Sequence, residues 1–183
     1  MTARTELMAI AAEQDGYVTL DDARALGIAA RDLQQLAYRG KIMREATGVY
    51  RFEEFPVTRA ASYRFAVLWT GRPEAALSHD TALSLLELSD INPPKTHVTV
   101  GVGERIRRAG GVGIVVHNED LASKDLGWWE GIRCVKPYTA IRQAIDTHVP
   151  FQLVNQAIGE ARARGSITDA EQVTLRSRLE GER

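Results

Sequence analysis

Over the first forty residues, apolar positions recur with a helical period in short runs that glycine punctuates. Leu7, Met8, Ile10 and Ala11 line one side of residues 3–14, and Asp15-Gly16 ends the run, which predicts an amphipathic helix. Thr19, with Asp22 three positions on, predicts an N-cap for a second helix from Leu20 to Leu26, closed by Gly27 just past its end. A third helix is expected from Ala30 to Tyr38. Its Leu33, Leu36 and Ala37 face inward, its Arg31, Gln34, Gln35 and Tyr38 face away, and Arg39-Gly40 ends it. Lys41 to Arg44 and Val49 to Phe52 then read as a β-hairpin around a turn at Ala46-Thr47-Gly48. Two helices joined by a glycine turn, with a basic-stemmed hairpin directly behind them, are the sequence form of a winged helix-turn-helix. Such a module lays its second helix in the DNA major groove.

Pro56 and its neighbours predict a hinge. Residues 58–70 predict a further helix closed by Gly71-Arg72-Pro73, and Ser78 caps another that reaches Leu86 or Leu88. After Asn92-Pro93-Pro94 the pattern changes. His97 to Val100 and Ile114 to His117 predict strands around a Gly- and Arg-rich hairpin, and Ile132 to Val135 a third strand. Trp128-Trp129 falls in a loop-like segment expected to pack over the sheet. Helices follow over Ala140 to Thr147, Phe151 to Arg164 and Asp169 to Leu179, the last capped by Thr168. The expected fold class is α+β: an N-terminal winged helix-turn-helix domain at 1–55, then a mixed α+β domain at 56–183.

Charge sharpens this picture more than composition does. The chain is 44% hydrophobic and 26% charged, an ordinary globular balance. No run of about eighteen apolar residues is present, so no membrane span is expected. The first residues carry Glu6 and Glu13 and read as a helix, not a signal peptide. Cys134 is the single cysteine and has no internal disulfide partner, which fits a reducing cytoplasmic location. A net charge of −1 argues against a non-specific nucleic-acid binder. Between Arg31 and Arg51, however, Arg31, Arg39, Lys41, Arg44 and Arg51 stand against Asp32 and Glu45, while the residues before them are acidic. A basic face on an acidic domain suits selective docking.

The residue types on that face suit distinct tasks. Arg31, Gln34 and Gln35 open the third helix, where side chains reach base edges. Arginine pairs with guanine O6 and N7, and glutamine with adenine N6 and N7. Lys41, Arg44 and Arg51 on the hairpin would grip phosphates and set the register. Other constellations yield less. The stretch G-V-G-E-R-I-R-R-A-G-G-V-G lacks the glycine spacing and following helix of a dinucleotide loop. Its Arg105, Arg107 and Arg108 form a second basic knot, which reads first as a solvated tip and only second as a contact for DNA or an acidic partner. The four histidines, His79, His97, His117 and His148, lack metal-ligand spacing and read as capping or partly buried polar residues. Ser78-His79-Asp80 are adjacent and cannot stack as nucleophile, base and orienter. No phosphate-binding loop, nucleophile elbow or nuclease motif appears, so no catalytic residue, metal or cofactor is expected and the chain does not read as an enzyme.

Four segments in order, G-V-Y-R-F, then L-S-H-D-T-A-L-S-L-L-E-L, then the pair H-V-T-V and G-I-V-V-H-N, then K-P-Y-T-A-I-R-Q-A-I-D, resemble the AbiEi-type antitoxins of type IV toxin–antitoxin systems. The resemblance runs from about residue 5 to residue 165 and rests on the order and spacing of the segments. The chain departs from the family where Lys136 to Arg142 replace a T-P-x-R-T-x-x-D pattern, and in having fewer arginines before the second strand. The resemblance implies an antitoxin encoded beside a nucleotidyltransferase-like toxin. It implies binding of repeats in the protein's own promoter, double-stranded DNA, through the winged helix, repression of that operon, and a C-terminal domain associated with countering toxicity. Carried over by position, it makes Arg31, Gln34, Gln35, Arg39, Lys41, Arg44 and Arg51 the DNA-contact residues and transfers no catalytic residue. The alternative expectation is a protein-interaction module that neutralises the toxin directly, with the winged helix as scaffold and Trp128 and Trp129 as partner anchors. Oligomeric state stays open, since a monomer on two half-sites suits the pattern as well as a dimer.

Overall fold

The computed structural model describes residues 2–181. Backbone contacts divide the chain into two compact units, Met1–Pro73 with Arg105–Val112, and Glu74–Glu104 with Gly113–Arg183.

Unit 1 opens with α1 (Ala3–Glu13), β1 (Tyr17–Thr19), α2 (Leu20–Ala25) and α3 (Ala30–Tyr38), followed by β2 (Met43–Ala46), β3 (Val49–Arg51) and α4 (Ala61–Thr70). The strands form an antiparallel sheet in the order β1-β3-β2. α1 to α3, the glycine turn and β3 stand where the sequence pattern places them, whereas β2 runs over Met43–Ala46 and not from Lys41 to Arg44, which leaves Lys41 ahead of the strand. β1 is an addition: three residues give no alternation to read, and Tyr17 to Thr19 become a strand by pairing with Val49 to Arg51. Thr19 caps α2 through a reciprocal box, with Asp22 N–H donating to Thr19 Oγ1 at 3.1 Å and Thr19 N–H to Asp22 Oδ2 at 2.7 Å. Gly27 closes that helix at φ +70°, a left-handed conformation that costs a residue with a Cβ far more. The core beneath the helices is Leu7, Ala11, Val18, Ala23, Ile28, Leu33, Ile42, Tyr50 and Phe52, all buried. Burying a side chain such as Leu33 contributes about 1.5–3 kcal/mol.

α4 belongs to this unit, beyond the boundary expected at residue 55. It packs on β1 and β3, with the Phe65 ring 5.9 Å from that of Tyr17. Asp15 accepts hydrogen bonds from Arg64 Nε at 3.0 Å and Thr58 Oγ1 at 2.8 Å. Pro56 therefore bends the chain inside one compact body.

Unit 2 holds β4 (Ala76–Leu77), α5 (His79–Leu85), β5 (Thr96–Val100), β6 (Ile114–Asn118), β7 (Leu126–Trp129), β8 (Ile132–Val135), α6 (Pro137–Asp146), α7 (Phe151–Ala163) and α8 (Asp169–Gly181). Its sheet runs β6-β5-β4-β8-β7. β5 and β6 are parallel, in register from Thr96 opposite Ile114 to Val100 opposite Asn118. The expected hairpin between them is therefore corrected. Parallel neighbours need a crossover, and the Gly- and Arg-rich stretch supplies it. Trp128 and Trp129 lie on β7, not in a loop. The strand pairs antiparallel with β8, which buries Trp129 and leaves Trp128 69% exposed. α6 starts with proline at its first position, three residues ahead of the expected start, because proline there forfeits no helical bond. Thr168 caps α8 with Glu171, whose N–H donates to Thr168 Oγ1 at 3.2 Å.

Candidate nucleic-acid interface

The outward face of α3 is set by its inward one. Leu33 is fully buried, and Leu36 and Ala37 pack against the core. Residues three and four apart share a helix face, so Arg31, Gln34, Gln35 and Tyr38 form one exposed row on the other side. Tyr38 is 93% exposed and extends the row by a turn. The sequence pattern turns it outward but does not single it out as a contact residue. Its phenol can donate to a phosphate, and its exposure alone sets it apart. Gln34, Gln35 and Tyr38 make no side-chain hydrogen bond among the described residues. Among the described residues Arg31 has only Asp32 at 4.0 Å, a solvent-exposed pair that contributes little.

The hairpin next to this helix divides its cations. Arg44 on β2 is exposed and unpaired among the described residues. Lys41 and Arg39 are exposed at the end of α3, where with Arg4, Leu36, Glu53 and Glu54 they line a groove of about 660 Å³. Glu54 pairs with Arg4, and both glutamates lower the local positive potential. Arg51 does not reach this surface. It sits in the central strand, 7% exposed, with its Nη2 donating to the Phe55 carbonyl at 2.7 Å and its guanidinium 5.9 Å from the Tyr17 ring centroid. The expectation that Arg51 grips phosphate is therefore corrected. Alternation along β3 places it on the other face from Tyr50, the sheet face that carries Tyr17 and that α4 covers, where it ties the chain after the hairpin to the sheet. Arg24 on α2 is engaged by Asp21 at 2.7 Å.

Unit 2 gathers residues that are distant in sequence. His79, His97 and His117 cluster at the parallel β5–β6 pair and the start of α5. The His79 and His117 rings stack with centroids 3.5 Å apart, and His117 Nε2 lies 3.1 Å from His97 Nδ1. His79 adopts φ +51°, its N–H donates to Gln143 Oε1 at 3.2 Å, and its Nδ1 lies 3.0 Å from Ser78 Oγ. Gln143 donates in turn to Glu119 at 2.8 Å, and Glu119 pairs with Arg142. Burial first, then the neighbouring imidazoles and Arg142, bring the His79 pKa down to about 3. Burial and His97 bring that of His117 down to about 4, and burial lowers that of His97. All three are neutral at pH 7. Among the described residues no group of three His, Cys, Asp or Glu side chains has the geometry to hold a metal ion. Ser78 does not cap α5 through its side chain; its hydroxyl accepts from Thr99 Oγ1 at 2.8 Å instead. Sequence spacing could not have found this cluster, because strand register and one crossover create it. Cys134 is buried, and burial pushes its thiol pKa up to about 12, so it is an inert core group.

An exposed polar and basic helix face beside a hairpin, on a three-helix core closed by a small antiparallel sheet, defines a winged helix-turn-helix protein, here one that also has an α+β unit. Residues 6–52, from α1 through β3 to Phe52, match the family model described as the AbiEi antitoxin transcriptional regulator, the family that the sequence resembles. No curated protein matches the chain. Among solved structures, the RV2827C protein from Mycobacterium tuberculosis is similar at a TM-score of 0.58 and 14% identity, over 100% of this chain and 76% of that one. That likeness is one of fold. Among the described residues, no helix is long and apolar enough to cross a membrane.

Proposed function

We propose that the protein is the autorepressing antitoxin of a toxin–antitoxin operon, acting in the cytoplasm on double-stranded DNA repeats of its own promoter. In this reading α3 enters the major groove, with Arg31, Gln34 and Gln35 at base edges and Tyr38 at the backbone. Arg44 on the wing, with Arg39 and Lys41 at the end of α3, neutralises phosphates. Unit 2 carries the countering of a nucleotidyltransferase-like toxin. The observation that carries the reading is the row Arg31, Gln34, Gln35 and Tyr38, exposed and, among the described residues, free of structural partners apart from the weak contact to Asp32. The row adjoins the exposed cations Arg39, Lys41 and Arg44, so groups suited to base edges stand next to groups suited to phosphates.

The test is binding of the purified protein to its upstream DNA across a salt series, with an unrelated duplex for comparison. Tight, sequence-selective, salt-dependent binding that is lost on joint Arg31→Ala and Arg44→Ala substitution is the expected result. Equal affinity for both duplexes refutes operator reading. A second reading, direct neutralisation of the toxin by a protein surface, draws on Trp128, 69% exposed on the edge strand β7. Loss of neutralisation in Trp128→Ala, with DNA binding intact, is its signature.

A further inference from the structure

The segment Arg105–Val112 leaves the β5–β6 crossover and forms part of unit 1. Its backbone is seated tightly. A Cβ on Gly110 would lie 2.7 Å from the Ala46 Cβ, and one on Gly111 would overlap the Trp69 indole. The two glycines are what let the chain approach this closely. Trp69, itself buried, donates its Nε1–H to the Ala109 carbonyl at 3.1 Å, and Arg108 Nη1 reaches the Trp69 carbonyl at 3.5 Å. Ala109 and Gly110 share a small depression with Arg44 and Thr47 of the hairpin. The segment is thus docked against the wing, not a solvated tip. Its three arginines divide by role: Arg108 straps the segment to α4, whereas Arg105 and Arg107 are exposed and form no ion pair among the described residues.

We infer that Arg105–Val112 is a second DNA-contacting element of the winged-helix unit, which places Arg105 and Arg107 on duplex phosphates beside those held by Arg44. The inference rests on the reading that this unit binds duplex DNA. A solvated loop needs neither an indole anchor nor close-packed glycines. A loop that must present cations at a fixed place beside the wing uses both, since an ordered cation loses less freedom on contacting a phosphate. The contacts would be to the backbone and would carry no sequence preference.

The experiment compares the salt dependence of binding to the upstream duplex for the wild-type chain and for the double variant Arg105→Gln, Arg107→Gln. Each phosphate contact contributes about 0.9 to the slope of log K against log salt. The double variant is expected to flatten that slope by about two units, equally on the upstream and the unrelated duplex, with its thermal midpoint unchanged. Gly111→Val retains every charge but drives a side chain into Trp69. It is expected to shift the segment and flatten the slope likewise, and circular dichroism verifies that it is folded. If the wild type binds and the double variant keeps the full slope, the inference is overturned and the DNA-binding reading stands. If the folded wild type binds no duplex, both are overturned.

Discussion

Acidification should destabilise unit 2 through His79. The residue is 5% exposed, stacked on His117, and its pKa is lowered to about 3 from an ordinary value of 6.5. With the folded pKa depressed, the unfolded chain binds the proton first as pH falls. Stability is complete above about pH 6.5 and drains away as pH drops toward 3. Between pH 7 and pH 5 the unfolded imidazole becomes almost fully protonated while the folded one stays neutral, and integrating that difference gives a loss of about 2 kcal/mol. His117, with its pKa lowered to about 4, also stays neutral over this range and adds a loss of similar size, and His97 acts in the same direction. The perturbation is His79→Asn, because asparagine tolerates the φ of +51° and does not titrate. The assay is amide hydrogen exchange of the α5 and β5 amides at pH 7, 6 and 5, corrected for intrinsic rates, which reports this unit alone. The variant will be less stable at pH 7 for want of the ring stack; what decides is the slope. Its loss between pH 7 and pH 5 should be smaller than that of the wild type by about 2 kcal/mol. Parallel profiles, or a His79 ring resonance titrating near its ordinary pKa, would refute the reasoning.

Three further outcomes are expected. Gln35→Ala should relax base preference at one operator position by about 1–3 kcal/mol, read from a panel of single-base operator variants; uniform loss across the panel would instead make Gln35 a backbone contact. Arg44→Ala should weaken binding to every duplex and flatten the salt slope by about one unit, and an unchanged slope removes it from the phosphate contacts. Arg51→Met should leave the salt slope as it is but cost about 1.5–3 kcal/mol in urea unfolding, because the Phe55 carbonyl loses a charge-assisted bond. A flatter slope with unchanged stability would return Arg51 to the interface.

The three helices and the hairpin turn of the winged helix are legible in the sequence. Its signals are local: Thr19 and Asp22 three residues apart, Gly27 just beyond a helix end, Leu33 and Leu36 on one side of α3, and Gly48 in the hairpin turn. Each acts over a few residues, so reading along the chain recovers it, and with it the outward row of Arg31, Gln34, Gln35 and Tyr38. Tertiary structure decided everything that depends on pairing at a distance. β1 and β4 are too short to show a pattern and exist only because β3 and β5 lie beside them. An alternating strand looks the same whether its neighbour runs parallel or antiparallel, so the β5–β6 crossover could pass for a hairpin. Arg51 has the charge of a phosphate contact, and only its place in the central strand of a three-stranded sheet shows that it points inward. Likewise, three histidines spread from residue 79 to residue 117 become one neutral, stacked cluster only when strand register and the start of α5 bring their rings together, because burial and mutual repulsion act through space and not along the chain.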